Sequence, residues 1–270
     1  MTIRRLDEGT INRIAAGEVV ERPASALKEL VENAIDAGAK RIDVTLENGG
    51  KSLIRVEDDG CGMSPADLAL SLERHATSKL PNGDAGDNLF RITSLGFRGE
   101  ALPSIGAVSK MTITTRTADA AEASILTVAG GVAGDMRPAA GTGGTRIEVR
   151  DLFYATPARL KFLKSERAEM MAVSDTLKRL AMAHARIAFS LTNDGKQNFS
   201  VPAETGDAGR LNRLSAIMGR AFGENAVPVF AERDTLRLDG FAGLPTFNHA
   251  TAQKQYLVVN GRPVRDKLLN

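Results

Sequence analysis

The stretch from Pro23 to Gly62 constrains this chain most, because it sets a two-faced helix directly ahead of a strand, a tight turn and a second strand. Leu27, Leu30, Val31, Ala34 and Ile35 recur at the spacing that gathers apolar residues on one helical face, predicting a helix over 23–37. Pro23 suits its first turn and Gly38 the position just past its end. The opposite face carries Glu29, Asn33 and Asp36 as a single polar stripe. Ile42, Val44 and Leu46 then alternate, Asn48-Gly49-Gly50 makes a turn, and Leu53, Ile54 and Val56 form the returning strand. That strand runs straight into Asp58-Asp59-Gly60-Cys61-Gly62. Beyond it Ser64 is the expected N-cap of a further helix, with Pro65 at its first position and Asp67 in the capping-box position.

Residues 76–100 read as a long loop of small and polar residues, a composition typical of binding loops. The loop ends in Gly96-Phe97-Arg98-Gly99-Glu100, just before a short helix. Short strands follow between 109 and 150, then a long helix over 165–185 built on Met170, Val173, Leu177, Leu180 and Ala181. A hairpin turns at Asn193-Asp194-Gly195. Residues 203–210 read as a linker, dividing the chain into domains 1–205 and 206–270. The chain ends at Asn270 just as a helix begins, so the second domain is expected to be incomplete.

With 43% hydrophobic and 25% charged residues in a chain of 270, a buried core is expected. A net charge of +2 is too mild to mark a nucleic-acid binder by itself. The single cysteine, Cys61, excludes internal disulfides and multi-cysteine metal sites, and His75, His184 and His249 have no metal-ligand spacing. The start has no apolar run of signal-peptide length, and no stretch approaches the roughly 18 apolar residues of a membrane span, so a cytoplasmic protein is expected.

Hydrolysis of a phosphoanhydride needs a positioned water and cations on the phosphate oxygens. Glu29 is placed to orient and deprotonate such a water, and Asn33, one turn along, to join a magnesium ion that otherwise binds phosphates and waters. On the helix alone, a solvated polar face explains the same residues. Asp58 can accept a hydrogen bond from an adenine amine while Gly60 and Gly62 let a purine lie against the backbone, although Asp-Gly turns are common. The glycines of GFRGEAL, ahead of a helix, together with Thr77, Ser78 and Lys79, make a plausible phosphate cradle. No GxxxxGK[ST] and no strand-linked GxGxxG occurs, which argues against Walker and Rossmann sites.

The strings IAAGEVVERPASALKELVENAIDAGA, DDGCGM, RHATSK, SLGFRGEAL, GTRIEV and DLFYATPARLKFL together resemble the N-terminal ATPase region of the MutL family of DNA mismatch-repair proteins, over essentially the whole chain. That family belongs to the ATPase group (GHKL) shared with gyrase, Hsp90 and the histidine kinases. GFRGEAL argues against the topoisomerase and kinase branches. The resemblance implies an α+β two-layer sandwich, a mixed sheet covered by helices on one face, followed by a smaller domain like the one beside the ATP site in gyrase. It implies ATP and Mg²⁺ as cofactors, with Glu29 activating water, Asn33 holding magnesium and Asp58 reading adenine beside Gly60 and Gly62. Residues 75–99 would form the ATP lid, with Thr77, Ser78, Lys79, Gly96, Phe97, Arg98, Gly99 and Glu100 near the phosphates and Thr145 near the adenine. It further implies an ATP-dependent homodimer, non-sequence-specific DNA binding, and partnership with the mismatch-recognition protein MutS and a downstream nuclease or helicase. Arg159, Lys161 and Arg265 belong to basic runs that could serve DNA, which a solvated surface explains equally well. The family's second-domain lysine, set in a His-Pro-Ala-Lys stretch, is not found, so a nucleotide-regulated binding module with negligible hydrolysis stays open beside a slow ATPase.

Overall fold

A computed structural model of the chain describes residues 3, 5–80, 94–248 and 254–266. Two compact units are formed: Met1–Leu177 with Phe189–Ser200, and Lys178–Ala188 with Val201–Asn270.

The first unit opens with α1 (Glu8–Val19), capped by the Asp7 carboxylate, which accepts from the Thr10 backbone N–H at 2.9 Å. α2 (Pro23–Asp36) follows, with Pro23 in its first turn. Its Leu27, Leu30 and Val31 are buried, each stabilising the fold by about 1.5–3 kcal/mol. Ile35 is only half-buried, whereas Glu32, outside the apolar spacing, is buried and paired with Lys28 at 2.8 Å. β1 (Arg41–Glu47) and β2 (Leu53–Asp58) pair antiparallel across the Asn48–Gly50 turn, burying Ile42, Val44 and Leu46. α3 (Pro65–Leu70) starts at Ser64, whose hydroxyl accepts from the Asp67 N–H and donates to its carboxylate.

The remaining elements of this unit are α4 (Ala101–Val108), β3 (Lys110–Arg116), β4 (Ala123–Ala129), the short β5 (Val132–Ala133) and β6 (Arg137–Ala139), β7 (Gly144–Arg150), the first part of α5 (Glu166–Ala183), whose turns from Lys178 on belong to the second unit, β8 (Ala188–Asn193) and β9 (Lys196–Val201). The strands order as β5-β4-β3-β7-β2-β1-β8-β9, with β6 also on β4. The β2–β7, β7–β3 and β3–β4 pairs are antiparallel. Ser190 meets Asp43, and Asp194 meets Leu46, so β8 and β1 ascend in the same direction and the sheet is mixed. Helices cover one face of this sheet. Turn residues Asp194 and Gly195 both have positive φ, as a two-residue hairpin loop requires. At the start of α5 the buried Glu169 accepts from Arg22 at 2.9 Å and from the Lys164 N–H at 2.9 Å, tying α5 to the entry of α2.

The second unit contains α6 (Gly206–Met218), α7 (Arg220–Glu224) and the hairpins β10 (Ala226–Arg233)–β11 (Leu236–Gly243) and β12 (Leu257–Val259)–β13 (Arg262–Val264). The expected linker over 203–210 ends sooner, because residues 206–210 are the first turns of α6. Packing overrides the poor helix propensity of Gly206 and Gly209: four positions on, Arg213 is buried and donates to the carbonyls of Ala181 at 2.6 Å, Ala185 at 3.0 Å, Ile187 at 2.8 Å and Pro202. Burial pulls its pKa below the ordinary arginine value, opposed by the charge of Glu204. No helix among the described residues is long and apolar enough to cross a membrane.

Candidate nucleotide site

The C-terminal end of α2 meets the loop that leaves β2. Cys61 N–H donates to the Ala37 carbonyl at 3.0 Å, and a Cβ on Gly60 would stand 2.9 Å from Ala37. Glu29, Asn33 and Asp36 on α2 are thereby held on the element that abuts Asp58-Asp59-Gly60-Cys61-Gly62.

Asp58 ends β2 opposite Thr145 of β7. Its carboxylate accepts from the Gly60 N–H at 2.9 Å and from the Thr145 N–H. Burial pushes its pKa up to about 6; the two hydrogen bonds oppose that shift, and the charges of Asp59 and Glu57 add to it. Gly62 adopts a φ of 69°, and a Cβ there would lie 2.2 Å from the Arg116 carbonyl. Gly144, at a φ of 104°, lies equally close to the Asp58 carbonyl, 2.0 Å from where a Cβ would be. Glycine is thus required at both by the neighbouring main chain. Beside the purine for which Gly60 and Gly62 are expected to be bare, the fold supplies a second reason: a Cβ would meet Ala37 at Gly60 and the Arg116 carbonyl at Gly62.

At the other end, Lys79 Nζ donates to Asn33 Oδ1 and to Asp36 Oδ2, both at 2.6 Å. Asp36 also accepts from the N–H groups of Leu95 at 2.7 Å and Gly96 at 2.9 Å. Asp36 is therefore a hub that gathers Lys79, Leu95 and Gly96, with Asn33 joined to it through Lys79. Its place in the polar stripe was legible, but its role as the common anchor was not. Thr77 accepts from the Lys79 N–H at 3.2 Å, and Thr77 and Ser78 are exposed. Phe97 lies under the Arg98 guanidinium, 5.6 Å from the ring centre. The Gly99 carbonyl accepts from His75 N–H at 3.1 Å, and Glu100 leads into α4 with its carboxylate 3.5 Å from His75 Nδ1. The rest of the expected lid, residues 81–93, lies outside the described residues, as does His249. Glu29 is half-buried, with Lys28 at 3.5 Å.

Among the basic residues, Arg159 Nη1 donates to the carbonyls of Gly17 at 3.0 Å and Val20 at 3.3 Å, so its guanidinium closes the C-terminal end of α1. Lys161 and, in the second unit, Arg265 are exposed. Thr115 was missed by sequence reasoning. It continues the inward positions of Met111 and Ile113 on β3, and a hydroxyl at an inward position was the available signal.

Comparison with known proteins bears on these arrangements. Residues 21–130 match the model of the histidine kinase-, DNA gyrase B- and HSP90-like ATPases. Residues 214–270 match the model described as the DNA mismatch repair protein, C-terminal domain. The whole chain is 59% identical to the DNA mismatch repair protein MutL of Rhodospirillum rubrum, covering 43% of that protein. It is 60% identical to MutL of Phenylobacterium zucineum, covering 44%. The chain thus spans less than half the length of these relatives. Among solved structures, the Aquifex aeolicus MutL ATPase domain complexed with ADP superposes with a TM-score of 0.72 at 27% identity, over 93% of this chain and 86% of that one. The N-terminal domain of a DNA repair protein gives 0.76 at 26% identity, over 95% and 78%. With the ATPase fold, the two matched regions and this identity along its full length, the chain belongs to the MutL family of DNA mismatch repair proteins.

Proposed function

We propose that the chain binds Mg-ATP between α2 and the Asp58 loop and hydrolyses it slowly, as a switch within mismatch repair. The junction of Ala37 with Gly60 and Cys61 supports this reading, since it holds Glu29, Asn33 and Asp58 on two touching elements, where they would serve as general base, magnesium ligand and base reader. Asn33 Oδ1 already accepts from an ammonium beside Asp36, so the donor set suits a cation. When bound, magnesium would neutralise charge on the phosphate oxygens. Glu29 would orient the attacking water and take its proton. Lys79, Thr77, Ser78 and the backbone of Gly96–Glu100, ahead of α4, would hold the phosphates. Asp58 would accept from the adenine amine, with Gly60, Gly62 and Thr145 beside it.

Lys79 cannot hold phosphate while it bridges Asn33 and Asp36, so nucleotide entry would exchange that bridge for contacts to ligand. This exchange would order the lid and favour an ATP-dependent homodimer. Inverting a 1:99 population requires about 5.5 kcal/mol of preference for the closed form. Exposed Lys161 and Arg265 would contribute salt-sensitive phosphate contacts to DNA of any sequence; Arg159 would join them only by leaving α1. Regulation of MutS and a downstream nuclease or helicase in the cytoplasm would follow from the same switch. The test is phosphate release from ATP by the chain with and without Mg²⁺. Slow, magnesium-dependent turnover is expected; turnover at background would leave a nucleotide-regulated binding module as the function.

A further inference from the structure

Asn33 and Asp36 lie one turn apart on α2, and their oxygens hold one cation between them. Lys79 Nζ donates to Asn33 Oδ1 and to Asp36 Oδ2, both at 2.6 Å. The Asp36 side chain is only 8% exposed. Main chain fixes its carboxylate: Oδ1 accepts from the Leu95 N–H at 2.7 Å and Oδ2 from the Gly96 N–H at 2.9 Å. A carboxylate offers about four acceptor positions. The position on Oδ2 that Lys79 occupies is therefore one that can change partner while both main-chain bonds stay.

Charge decides what the new partner should be. Magnesium bound with phosphates ordinarily takes one or two carboxylates as well, the remaining places going to water. Asn33 by itself would offer the ion a neutral amide. Asp36 adds a carboxylate that already converges with Asn33 on one cationic nitrogen. Moving Lys79 to phosphate would also strip this nearly buried carboxylate of its positive partner, beside an anionic ligand. An unpaired charge in such a place is strongly destabilising, and a divalent ion at Asn33 would restore the balance. Ammonium and metal would thus take turns on the same two oxygens.

We propose that Asp36 is the charged partner of Asn33 in the magnesium site, and that Lys79 holds the place of the metal until nucleotide arrives. This rests on the nucleotide reading above. The Leu95 and Gly96 N–H groups orient the carboxylate, as hydrogen bonds to metal-binding carboxylates do. They also tie the metal site to the loop that leads into α4.

The experiment is calorimetric binding of a non-hydrolysable ATP analogue, with Mg²⁺ and with EDTA. The proteins are the wild-type chain, Asp36→Asn, Asn33→Ala, the Asn33→Ala/Asp36→Asn double variant and Lys79→Met, with folding checked by circular dichroism. The readout is the metal gain, the ratio of the two affinities. A general loosening of the loop weakens binding in both conditions and leaves this ratio unchanged. Asp36→Asn is expected to lower the gain about 10- to 100-fold, as for a group that supports a bound metal, with binding in Mg²⁺ weakened more than binding in EDTA. Once Asn33 is alanine, adding Asp36→Asn changes the gain less than about twofold, as expected of groups that serve one ion. Lys79→Met weakens binding in EDTA but keeps the gain at or above the wild-type value, because no ammonium competes for Oδ2. If Asp36→Asn does not fold, Asp36→Ser carries the same expectation. An unchanged gain in the Asp36 variant, or a gain lost in Lys79→Met, overturns the proposal. A fall that comes wholly from tighter binding in EDTA also overturns it, and makes Asp36 a counter-ion of Lys79 alone. If the wild type does not bind, or binds with no gain, the nucleotide reading fails with it; if Asn33→Ala loses the gain and Asp36→Asn keeps it, only the Asp36 assignment fails.

Discussion

Around Asp58 the candidate pocket is positioned by main chain, and around Asn33 by side chains. The carboxylate of Asp58 is aimed by two backbone N–H groups, and Gly62 and Gly144 press directly on the carbonyls of Arg116 and Asp58. Nothing there can move without disturbing the sheet. Asn33 instead meets the flexible end of Lys79, and the loop is pinned through the single carboxylate of Asp36. One end is built before any ligand arrives. The other consists of contacts that a ligand can exchange one for another. A switch needs both, because a rigid end gives selectivity and an exchangeable end gives a second state for the ligand to favour.

The largest effect that sharpens this contrast is catalytic. Glu29→Ala should slow turnover by roughly 10²- to 10⁴-fold, as for loss of a general base, while nucleotide binding, measured separately, is spared. Loss of binding as well would mean that Glu29 belongs to the binding apparatus. Next comes stability. Gly62→Ala forces a Cβ to within 2.2 Å of a backbone carbonyl at a φ of 69°, and positive-φ strain alone costs about 1–3 kcal/mol. Gly96→Ala meets side chains alone, the nearest being the Lys79 ammonium at 3.1 Å, which can swing aside. Urea unfolding should separate the two variants clearly; equal midpoints would erase the distinction between the ends.

Asp58→Ala should weaken ATP binding by about 1–3 kcal/mol through the amine left unpaired, and relax the preference over GTP. The smallest effect is pH-dependent. With its pKa near 6, Asp58 is ionised at pH 7 and able to accept, so ATP affinity should hold above that value and fall, by up to about tenfold per unit, as pH drops below it. The stability contribution has the opposite sign. The folded state keeps the Asp58 proton over a range where the unfolded chain, with a carboxyl near 3.8, has lost it, so this stabilisation is present at low pH and lost as pH rises through about 6. Asp58→Asn should remove this pH dependence of ATP affinity; an unaltered profile would assign it to another group.

The rigid end was also the more legible in the sequence. The alternation of Ile42, Val44 and Leu46, the Asn48 turn and the Ser64 cap follow local rules that the sheet reinforces, and each forms where the residues require it. What escaped depends on partners distant in sequence. Glu169 is buried because Arg22 reaches it, and Arg213 because carbonyls from α5 and the segments on either side of β8–β9 surround it. The same non-local logic turned the apparent linker at 206–210 into helix. Asp36 showed its place on the polar face but not its contacts to Lys79, Leu95 and Gly96, and Thr115 was hidden by looking like an ordinary strand residue.

A single nucleotide pocket with two differently built ends is tested most directly by calorimetric binding of a non-hydrolysable ATP analogue, with and without Mg²⁺, to the wild-type chain, Asn33→Ala and Asp58→Ala. Magnesium-dependent binding by the wild type is expected, weakened in both variants, with the magnesium dependence lost only in Asn33→Ala. Binding that is indifferent to both substitutions, or no binding by the wild type, would contradict it.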